Sequence, residues 1–570
     1  MREQDSIYVD QITGLPNANY FNNNADHYLN EYYQAGKNCG VVFFDIYGMH
    51  AYNARFGYVR GDQLLQDTAR VIQKVMDGAF AARYSEDHIL VVTSGINVVG
   101  KIREIHREIL LRSEDGATSI KAGIFYCDKK LRPHASIAID KARLALNYIG
   151  NDRTKIFYIY DDEVRESVAR REYVLGHYQE AIEKNWIKVY YQPVVNTLSH
   201  KVCSAEALAR WEDPDRGLLS PALFIETLEK AHLLYQLDLY VLEQVCKDHQ
   251  EELLNREQMS PISVNLSRYD LEVEGFYDQV NEIVDSYQVP HEYIHFEITE
   301  TALFNNSEVI LQAIKRFHQD GYEVWLDDFG SGYSSLHSIQ LFDFDCIKID
   351  MKFLRNTNEK TPVVLSGIVD IAKRIGMQTL AEGVETIEQY QFLQSIGCAM
   401  VQGYYFSKPC PYDALDMILQ GSGLEAESME EKSFYQQISQ VNFFDPANVL
   451  MPQRGERIRN NIVMCILVKD KDHVFVCYSS DAREDFMRLH GITNAEEEMN
   501  FLNRPGSPGY QQIRIYTEKV DQSPDGLAFF DIMEHSIPIG RLRVQRIAQQ
   551  GDKQAYLIMT SNLDFETAIR

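Results

Sequence analysis

Residues Val324 to Gly330 read Val-Trp-Leu-Asp-Asp-Phe-Gly, a short apolar run that leads into two adjacent carboxylates. Seven further runs of this kind lie in the central part of the chain, helical patterns separate them, and each ends in polar residues. Eight strand-like runs that alternate with helices over about 240 residues are typical of a (β/α)₈ barrel, an α/β fold whose chemistry takes place at the C-terminal ends of the strands. The other seven runs are KVYYQPVV, SAEALAR, ISVNLS, IHFEITE, IKIDMKF, TLAEGVE and VQGYYF.

The length of 570 residues exceeds what one hydrophobic core accommodates, so we expect about three domains. Before the barrel, apolar runs at Gly40–Ile46 and Ile89–Thr93 flank an amphipathic stretch and predict an α/β domain. After it, an acidic linker from Ser422 to Lys432 leads into strand-like runs, QIRIYTE among them, that predict a smaller α+β domain. The predicted divisions are the first domain 1–162, a charged linker helix 163–184, the barrel 185–421 and the C-terminal domain 433–570.

The composition favours an ordinary globular protein, because 45% of the residues are hydrophobic and 24% are charged. No apolar run reaches the roughly 18 residues that a membrane-spanning helix needs, and the chain begins with a polar stretch. We therefore expect a cytoplasmic protein without a membrane span. The net charge of −27 argues against binding to polymeric nucleic acid, and the nine scattered cysteines form no CxxC pair, so we expect them to be reduced core residues.

Polar residues at the ends of the predicted strands would converge on one mouth of the barrel. Five carboxylates placed there would repel one another unless cations neutralised them, and all-oxygen ligands select Mg²⁺ or Mn²⁺ over zinc. Two ions about 4 Å apart can activate a bridging water and stabilise in-line attack on phosphorus, which predicts a phosphodiester hydrolase. Each acid alone would more often be a solvated loop carboxylate or a helix N-cap, and only their joint placement favours a metal site. The candidates are Glu206, Asn265, Glu297, Asp327, Asp328 and Glu382.

The central domain resembles the EAL family of cyclic di-GMP phosphodiesterases over its whole length. The family signature ExLxR stands at Glu206 to Arg210, and a Tyr-Gln-Pro motif precedes it at Tyr191 to Pro193. The resemblance implies that the six candidates bind two divalent ions and that Asp327 bridges them. The later motifs follow in the family's order as Val264-Asn265-Leu266-Ser267, Glu297-Ile298-Thr299-Glu300, Asp327 to Gly332, Lys348-Ile349-Asp350, Ala381 to Glu385 and Gln402-Gly403.

The same resemblance implies roles for residues around the metal ligands. Lys348 would hold and polarise the attacking water. Gln192 and Arg210 would contact the substrate, the arginine as a charge-assisted clamp on a phosphate oxygen. Gln402 would help to hold the dinucleotide or its metal shell. Asp350 is a further candidate substrate contact, with a structural salt bridge to Lys348 as an equal alternative.

The resemblance also has an implication for oligomeric state, through the loop from Asp328 to Leu336. Glu300 matches the residue that anchors this loop, which in similar proteins shapes the second metal site and contacts a dimer partner, so a homodimer is implied. The alternative for Glu300 is a plain surface acid. The implied catalytic group is Lys348, Glu300, Asp328 and Glu382.

The first domain resembles the GGDEF family, whose active members condense two GTP molecules into cyclic di-GMP. At the family's five-residue signature this chain has Ser85-Glu86-Asp87-His88-Ile89, and Tyr47 replaces a metal-site acid. Side chains in place of the signature glycines would block the close approach of a triphosphate, so we expect a degenerate domain without cyclase activity. The resembling stretches are Asp10–Phe21, Phe44–Asn53 and Gly57–Leu65.

Asn53 and Asp62 match the family's guanine-reading positions. GTP is therefore a candidate regulatory ligand of the first domain, although helix-capping or turn roles are the simpler alternative. Met76 to Ala79 occupies the place of the family's product-inhibition motif, so we expect no inhibitory cyclic di-GMP there.

The C-terminal domain resembles a PAS-type sensory fold in pattern only, from Asn461 onward. The sequence thus favours an enzyme that converts cyclic di-GMP into linear pGpG under the control of its flanking domains. A non-catalytic cyclic di-GMP receptor that signals to a partner protein is the main alternative, and a bifunctional enzyme is a further one. The complete ligand set argues against the first alternative, and Ser85, Glu86 and His88 argue against the second.

Overall fold

The computed structural model describes residues 6–94, 96–128, 130, 132–150, 152, 154–255, 260–304, 307–330, 335–355, 360–441, 463–534 and 537–561. The chain divides into two compact units, Met1–Gly176 and His177–Arg570. Among the described helices, none has the length and apolar character required to cross a bilayer.

The first unit is built on a sheet in the order β2-β3-β1-β4-β5, with β1 antiparallel to both β3 and β4. Helices cover both faces of β1, because Val42 and Phe44 pack in one core with α3 and α4 while Val41 and Phe43 pack in another with α1 and α5. Its elements are α1 (Ala18–Gln34), β1 (Cys39–Tyr47), α2 (Met49–Phe56), α3 (Tyr58–Val75), β2 (Phe80–Ser85), β3 (His88–Thr93), α4 (Val98–Arg112), β4 (Ser119–Cys127), α5 (Ala135–Ile149) and β5 (Phe157–Ile159). Helix α6 (Asp162–Glu183) follows.

The second unit begins with the barrel. Its elements are β6 (Ile187–Asn196), β7 (Val202–Asp213), β8 (Gly217–Leu219), α7 (Pro221–Lys230), α8 (Leu234–Asn255), β9 (Ile262–Leu266), α9 (Phe276–Ser286), β10 (Ile294–Thr299), α10 (Ser307–Asp320), β11 (Glu323–Phe329), α11 (Ser335–Leu341), β12 (Cys346–Ile349), α12 (Lys352–Arg355), α13 (Thr361–Arg374), β13 (Gln378–Ala381), α14 (Ile387–Ser395), β14 (Met400–Gln402), β15 (Cys410–Pro411) and α15 (Tyr412–Ser422).

Eight strands of the described chain close the barrel in the order β6-β7-β9-β10-β11-β12-β13-β14, which confirms the predicted fold class. All eight predicted runs supply a strand. The prediction that a helix separates every pair of successive runs was wrong for the first two, because β6 and β7 form an antiparallel hairpin. As a result, β6 is also antiparallel to β14. The five residues between Asn196 and Val202 are too few for a crossover, which needs a dozen or more residues.

The C-terminal part forms an antiparallel sheet in the order β17-β16-β20-β19-β18. The run QIRIYTE, predicted as a strand, lies in a helix instead, because Ile513, Thr517 and Val520 recur at helical spacing and are buried. The PAS resemblance stays a prediction. The elements are α16 (Met429–Ser439), β16 (Met464–Asp470), β17 (His473–Ser479), α17 (Asp481–Leu489), α18 (Ala495–Asn503), α19 (Pro508–Asp521), β18 (Leu527–Glu534), β19 (Ile537–Gln550) and β20 (Lys553–Ser561).

Candidate active site

One mouth of the barrel collects polar side chains from eight strands or strand ends. Neighbouring strands place them side by side, because Asn265 is the register partner of Glu297, and Gln192 is the register partner of Glu206 across the hairpin. The residues are Gln192 on β6, Glu206 on β7, Asn265 on β9, Glu297 on β10, Asp327 and Asp328 on β11, Lys348 on β12, Glu382 directly after β13 and Gln402 on β14.

Lys348 lies at the centre of this cluster and is fully buried. Its Nζ is 2.9 Å from Glu382 Oε1, 3.2 Å from Asp327 Oδ1 and 3.5 Å from Glu206 Oε2, and it also donates a hydrogen bond to Glu297. Burial acts to lower the pKa of Lys348, but these four carboxylates outweigh it and raise the pKa well above its ordinary value. One ammonium therefore faces four acids.

Two neutral amides complete the surroundings of Glu206. Asn265 donates to Glu206 Oε1 at 3.1 Å, and Gln402 donates to Glu206 Oε2 at 2.8 Å. Burial opposes ionisation of Glu206, but the Lys348 ammonium and the two amides outweigh it and lower the pKa. Glu206 is therefore a carboxylate at neutral pH.

Two other acids of the cluster have raised pKa values. Burial, together with the charges of Glu206 and Asp327, raises the pKa of Glu297 well above its usual range. The same causes raise the pKa of Glu382 to about 8. A cation bound at this place would displace protons from these groups, since metal binding to carboxylates requires their ionised form.

The donor set fits hard divalent cations. Asp327, Asp328 and Glu382 each offer a carboxylate oxygen within 4.8 Å of the others. Glu297 Oε1 is buried and has no hydrogen-bond partner among the described residues. Asp328 has a left-handed backbone, with a φ of 56°, and its N–H donates to Asp327 Oδ1 at 2.8 Å. All the ligand atoms on offer are oxygens, as Mg²⁺ and Mn²⁺ prefer.

Glu300 is fully buried rather than the plain surface acid of the alternative reading. Its Oε2 accepts a hydrogen bond of 3.0 Å from the N–H of Gly330, and so it ties down the start of the loop that follows β11. Gly330 has a φ of 95°, and a methyl group on it would overlap the ring of Phe353, so this position requires glycine. Residues 331–334 of the predicted loop Asp328–Leu336 lie outside the described residues.

The remaining candidates lie around the metal ligands. Asp350 pairs with Lys352 Nζ at 2.8 Å and not with Lys348, so the predicted alternative salt bridge was wrong. Gln192 donates to Ser407 O at 3.3 Å. The Arg210 guanidinium is partly buried, and its Nη1 donates to the carbonyl of Ala209 at 2.9 Å.

Beside the carboxylates lies a cavity of about 620 Å³ that Arg210 helps to line. Sequence reasoning missed two of its residues, Arg268 and Asp238. Burial and the neighbouring Asp270 carboxyl raise the pKa of Asp238 well above its usual range. Arg268 directly follows the motif Val264–Ser267 and could have been found there, whereas Asp238 lies within helix α8 and only the tertiary structure brings it to the cavity.

The first unit holds a smaller polar cluster near its altered signature. His88 Nε2 is 3.6 Å from Asp45 Oδ1, and His88 Nδ1 is 3.5 Å from Asp87 Oδ1. Of the two predicted guanine-reading residues, Asp62 is exposed on α3 and Asn53 is half-buried on α2. Asn53 Oδ1 accepts no hydrogen bond within the described part of the chain.

Comparison with known protein families identifies a domain in each of two parts of the chain. Residues 176–409 match the EAL domain, and residues 7–155 match the diguanylate cyclase GGDEF domain. The chain therefore contains a GGDEF domain and an EAL domain, with the mixed α/β architecture that these two domains imply. The degenerate state of its GGDEF domain stays a prediction.

Two relatives match the chain over about 72% of its length. The chain is 30% identical over 424 residues to the cyclic di-GMP phosphodiesterase PdeR of Escherichia coli (strain K12), a match that covers 72% of this chain and 62% of that protein. It is 29% identical over 421 residues to an uncharacterized signaling protein of Caulobacter vibrioides. That match covers 72% of this chain and 51% of that protein. The chain thus spans between half and two thirds of the length of these relatives.

A solved structure shares the fold. The S helix-GGDEF-EAL portion of Vibrio cholerae LapD, bound to c-di-GMP, is 20% identical, with a TM-score of 0.50. The match covers 70% of this chain and 96% of that chain.

Proposed function

We propose that the barrel is a metal-dependent phosphodiesterase that hydrolyses cyclic di-GMP to linear pGpG. The observation that carries this proposal is the complete set of oxygen ligands around Lys348 at one barrel mouth. The EAL domain match and a relative named as a cyclic di-GMP phosphodiesterase support it. The proposed ligands are Glu206, Asn265, Glu297, Asp327, Asp328 and Glu382.

The chain's own residues suit this chemistry. Two Mg²⁺ or Mn²⁺ ions would be held by the six ligands and, when bound, supply a water of lowered pKa and neutralise charge on the phosphate. Lys348 donates hydrogen bonds towards the centre of the ligand set, where it can orient a water for in-line attack. Arg210 lines the cavity beside Glu206, and Gln192 is the register partner of Glu206 across the hairpin, so the two can bind phosphate oxygens and the dinucleotide.

Gln402 and Glu300 support the ligands from outside. Gln402 orients Glu206 by a hydrogen bond, which is the kind of outer contact that tunes metal sites. Glu300 fixes the chain at Gly330, two residues after Asp328. Asp350 is paired with Lys352, so we propose for it a part in shaping this region rather than a direct contact with Lys348.

The flanking domains are proposed to regulate the barrel. The match of Asn53 and Asp62 to the guanine-reading positions of the GGDEF family supports a nucleotide ligand of the first domain, for which GTP is the candidate. Homodimer formation through the loop after Asp328 is likewise proposed.

The test is incubation of the full chain with cyclic di-GMP and Mg²⁺ or Mn²⁺, with and without GTP, followed by chromatographic separation of the nucleotides. We expect pGpG to accumulate, and EDTA to prevent it. Substrate that binds but stays intact would refute the enzyme and favour the receptor. A change in rate with GTP would assign a regulatory role to the first domain.

A further inference from the structure

Helix α16 crosses the floor of the barrel, at the end opposite the carboxylates. The segment predicted as a linker, Ser422 to Lys432, supplies the start of this helix, and a capping box between Ser428 and Glu431 fixes that start. From its last turn, Ser439 Oγ donates to Gln378 Oε1 at 2.7 Å, at the first residue of β13. The helix therefore contacts strands at their N-terminal ends.

Lys432 makes the central contact of this floor. Its Nζ lies 3.1 Å from His295 Nε2 and 3.5 Å from Glu323 Oε1, and it is largely buried, with 12% of its side chain exposed. An ammonium only donates, so His295 Nε2 is the acceptor. His295 is the second residue of β10, and Glu323 is the first residue of β11.

The same two strands carry metal ligands at their other ends. Side chains two residues apart share one face of a strand, so His295 and Glu297 point the same way, as do Glu323, Trp325 and Asp327. Trp325 lies between the two ends: its Nε1 donates to Glu323 Oε2 at 3.0 Å, and its ring centroid is 4.6 Å from that of His295. Trp325 packs inside the barrel with Val194, Cys203, Cys346, Leu380, Ala399 and Met400.

The opposite face of α16 belongs to the C-terminal core. Phe434, Tyr435 and Ile438 pack with strand residues of the antiparallel sheet. Lys553 on β20 places its Nζ 5.0 Å and 5.1 Å from the ring centroids of Phe434 and Tyr435. One helix thus joins the sheet on one side to the barrel floor on the other.

We propose that Lys432, on the helix that joins the C-terminal sheet to the barrel floor, is a positioning residue for the metal site. It fixes the floor ends of β10 and β11, and the packed Trp325 layer transmits their positions to Glu297 and Asp327. Close-packed interiors pass on small shifts, and metal coordination tolerates only a few tenths of an ångström. This inference rests on the proposed function of the same site.

The test compares full-length variants by calorimetric titration with Mn²⁺ alone and by turnover of cyclic di-GMP. Lys432→Met is expected to weaken Mn²⁺ binding and lower kcat by about tenfold each, in the range known for outer contacts of metal sites, with little change in KM. Lys432→Arg keeps a donor and should restore much of both. The matched control Lys553→Met alters the other face of α16 and should behave as the wild type does.

Wild-type Mn²⁺ affinity in folded Lys432→Met would overturn the inference, and so would equal losses in Lys432→Met and Lys553→Met. If Lys432→Met does not fold, the double variant Lys432→Met/Glu323→Gln is used, because it removes both charges. Weakened Mn²⁺ binding by this variant supports the inference, and wild-type Mn²⁺ affinity overturns it. A wild-type chain that binds Mn²⁺ without hydrolysing the dinucleotide would refute the proposed function, while the Mn²⁺ comparison still tests Lys432. A wild-type chain that binds no Mn²⁺ would overturn both.

Discussion

At the scale of single residues, Lys348 compensates part of the negative charge at the barrel mouth without a bound cation. Its ammonium contacts carboxylates from four strands or strand ends, and without it these four acids, of which Glu206 and Glu297 are buried, would face one another. A buried charge of this kind is costly unless it is paired, which explains why the cluster is built around a lysine. The same side chain is then available to orient a nucleophile.

Replacement of this lysine gives the first prediction. Lys348→Ala should lower the rate of cyclic di-GMP hydrolysis by about 10²- to 10⁴-fold, the usual effect of losing a positioned proton-handling group, while binding of the dinucleotide persists. Single-turnover assays and equilibrium binding measure the two effects. Lys247→Ala is the control, since Lys247 pairs with Glu243 on the outside of helix α8. Loss of binding together with turnover would contradict the assigned role.

The positions of the proposed ligands at the strand ends could be predicted because each lies at or near the end of an apolar run, but their contacts could not. That Lys348 pairs with four acids depends on distances between strands that are far apart in the chain. The pairing of Asp350 with Lys352 is local, but it depends on the path of the backbone after β12. Asp238 shows the same limit, because helical spacing places it on α8 without indicating which cavity it faces.

At the scale of elements, the turn after β11 depends on one glycine. Gly330→Ala combines a backbone in the left-handed region with an overlap against Phe353. We expect it to lower the free energy of unfolding by more than the roughly 1 kcal/mol of backbone strain alone, and to reduce turnover by disturbing Asp328. Urea unfolding and turnover assays measure both effects.

The variant Gly275→Ala separates the effect of backbone strain from the effect of the overlap with Phe353. Gly275 has a φ of 78°, and nothing lies within 4 Å of where its methyl group would stand, so it reports the strain alone. Equal destabilisation of the two variants would contradict the importance of the Phe353 contact. Unchanged turnover in Gly330→Ala would separate this turn from the metal site.

The contact between helix α10 and the strands gives a prediction about pH. His318 Nε2 lies 2.9 Å from Asp345 Oδ2, and this hydrogen bond raises the pKa of His318. A raised folded-state pKa means that the stabilisation is fully present below the unfolded value of about 6.5 and is lost as pH rises through the folded value. His318→Gln should therefore cost up to about 1 kcal/mol at pH 6 and less at pH 8.5.

Urea unfolding at the two pH values measures this difference. His27→Gln serves as the control, because His27 is an exposed histidine paired with Glu31 on helix α1. A larger loss for His318→Gln at pH 8.5 than at pH 6 would contradict the sign of the argument.

Element types could be predicted where apolar runs had clear polar boundaries and were missed where a short window of sequence fitted two patterns. The eight barrel runs were recognisable because each is a buried strand bounded by polar residues. The hairpin of β6 and β7 was missed although the gap between the runs is too short for a crossover. QIRIYTE alternates over a short window. The helix is indicated by the wider spacing of Ile513, Thr517 and Val520, by Ser507, whose side chain caps α19, and by Pro508 in its first turn.

At the scale of the whole molecule, two compact units in one chain argue against a single unfolding transition. A ligand that binds only the folded form of one unit stabilises that unit by about 2.7 kcal/mol at a hundred times its Kd. Mn²⁺ should therefore raise the midpoint of the transition that belongs to His177–Arg570 and leave the other unchanged. If GTP binds the first unit, it should raise the midpoint of the transition of that unit and leave the transition of His177–Arg570 unchanged.

Scanning calorimetry with each ligand measures these shifts. Glu206→Ala removes a carboxylate at the centre of the proposed ligand set and should abolish the Mn²⁺ shift while leaving the GTP response intact. A Mn²⁺ shift that persists in Glu206→Ala would place the bound ion elsewhere, for instance at Asp45, Asp87 and His88 in the first unit. In that case Mn²⁺ would raise the other transition, so the identity of the shifted transition distinguishes the two sites.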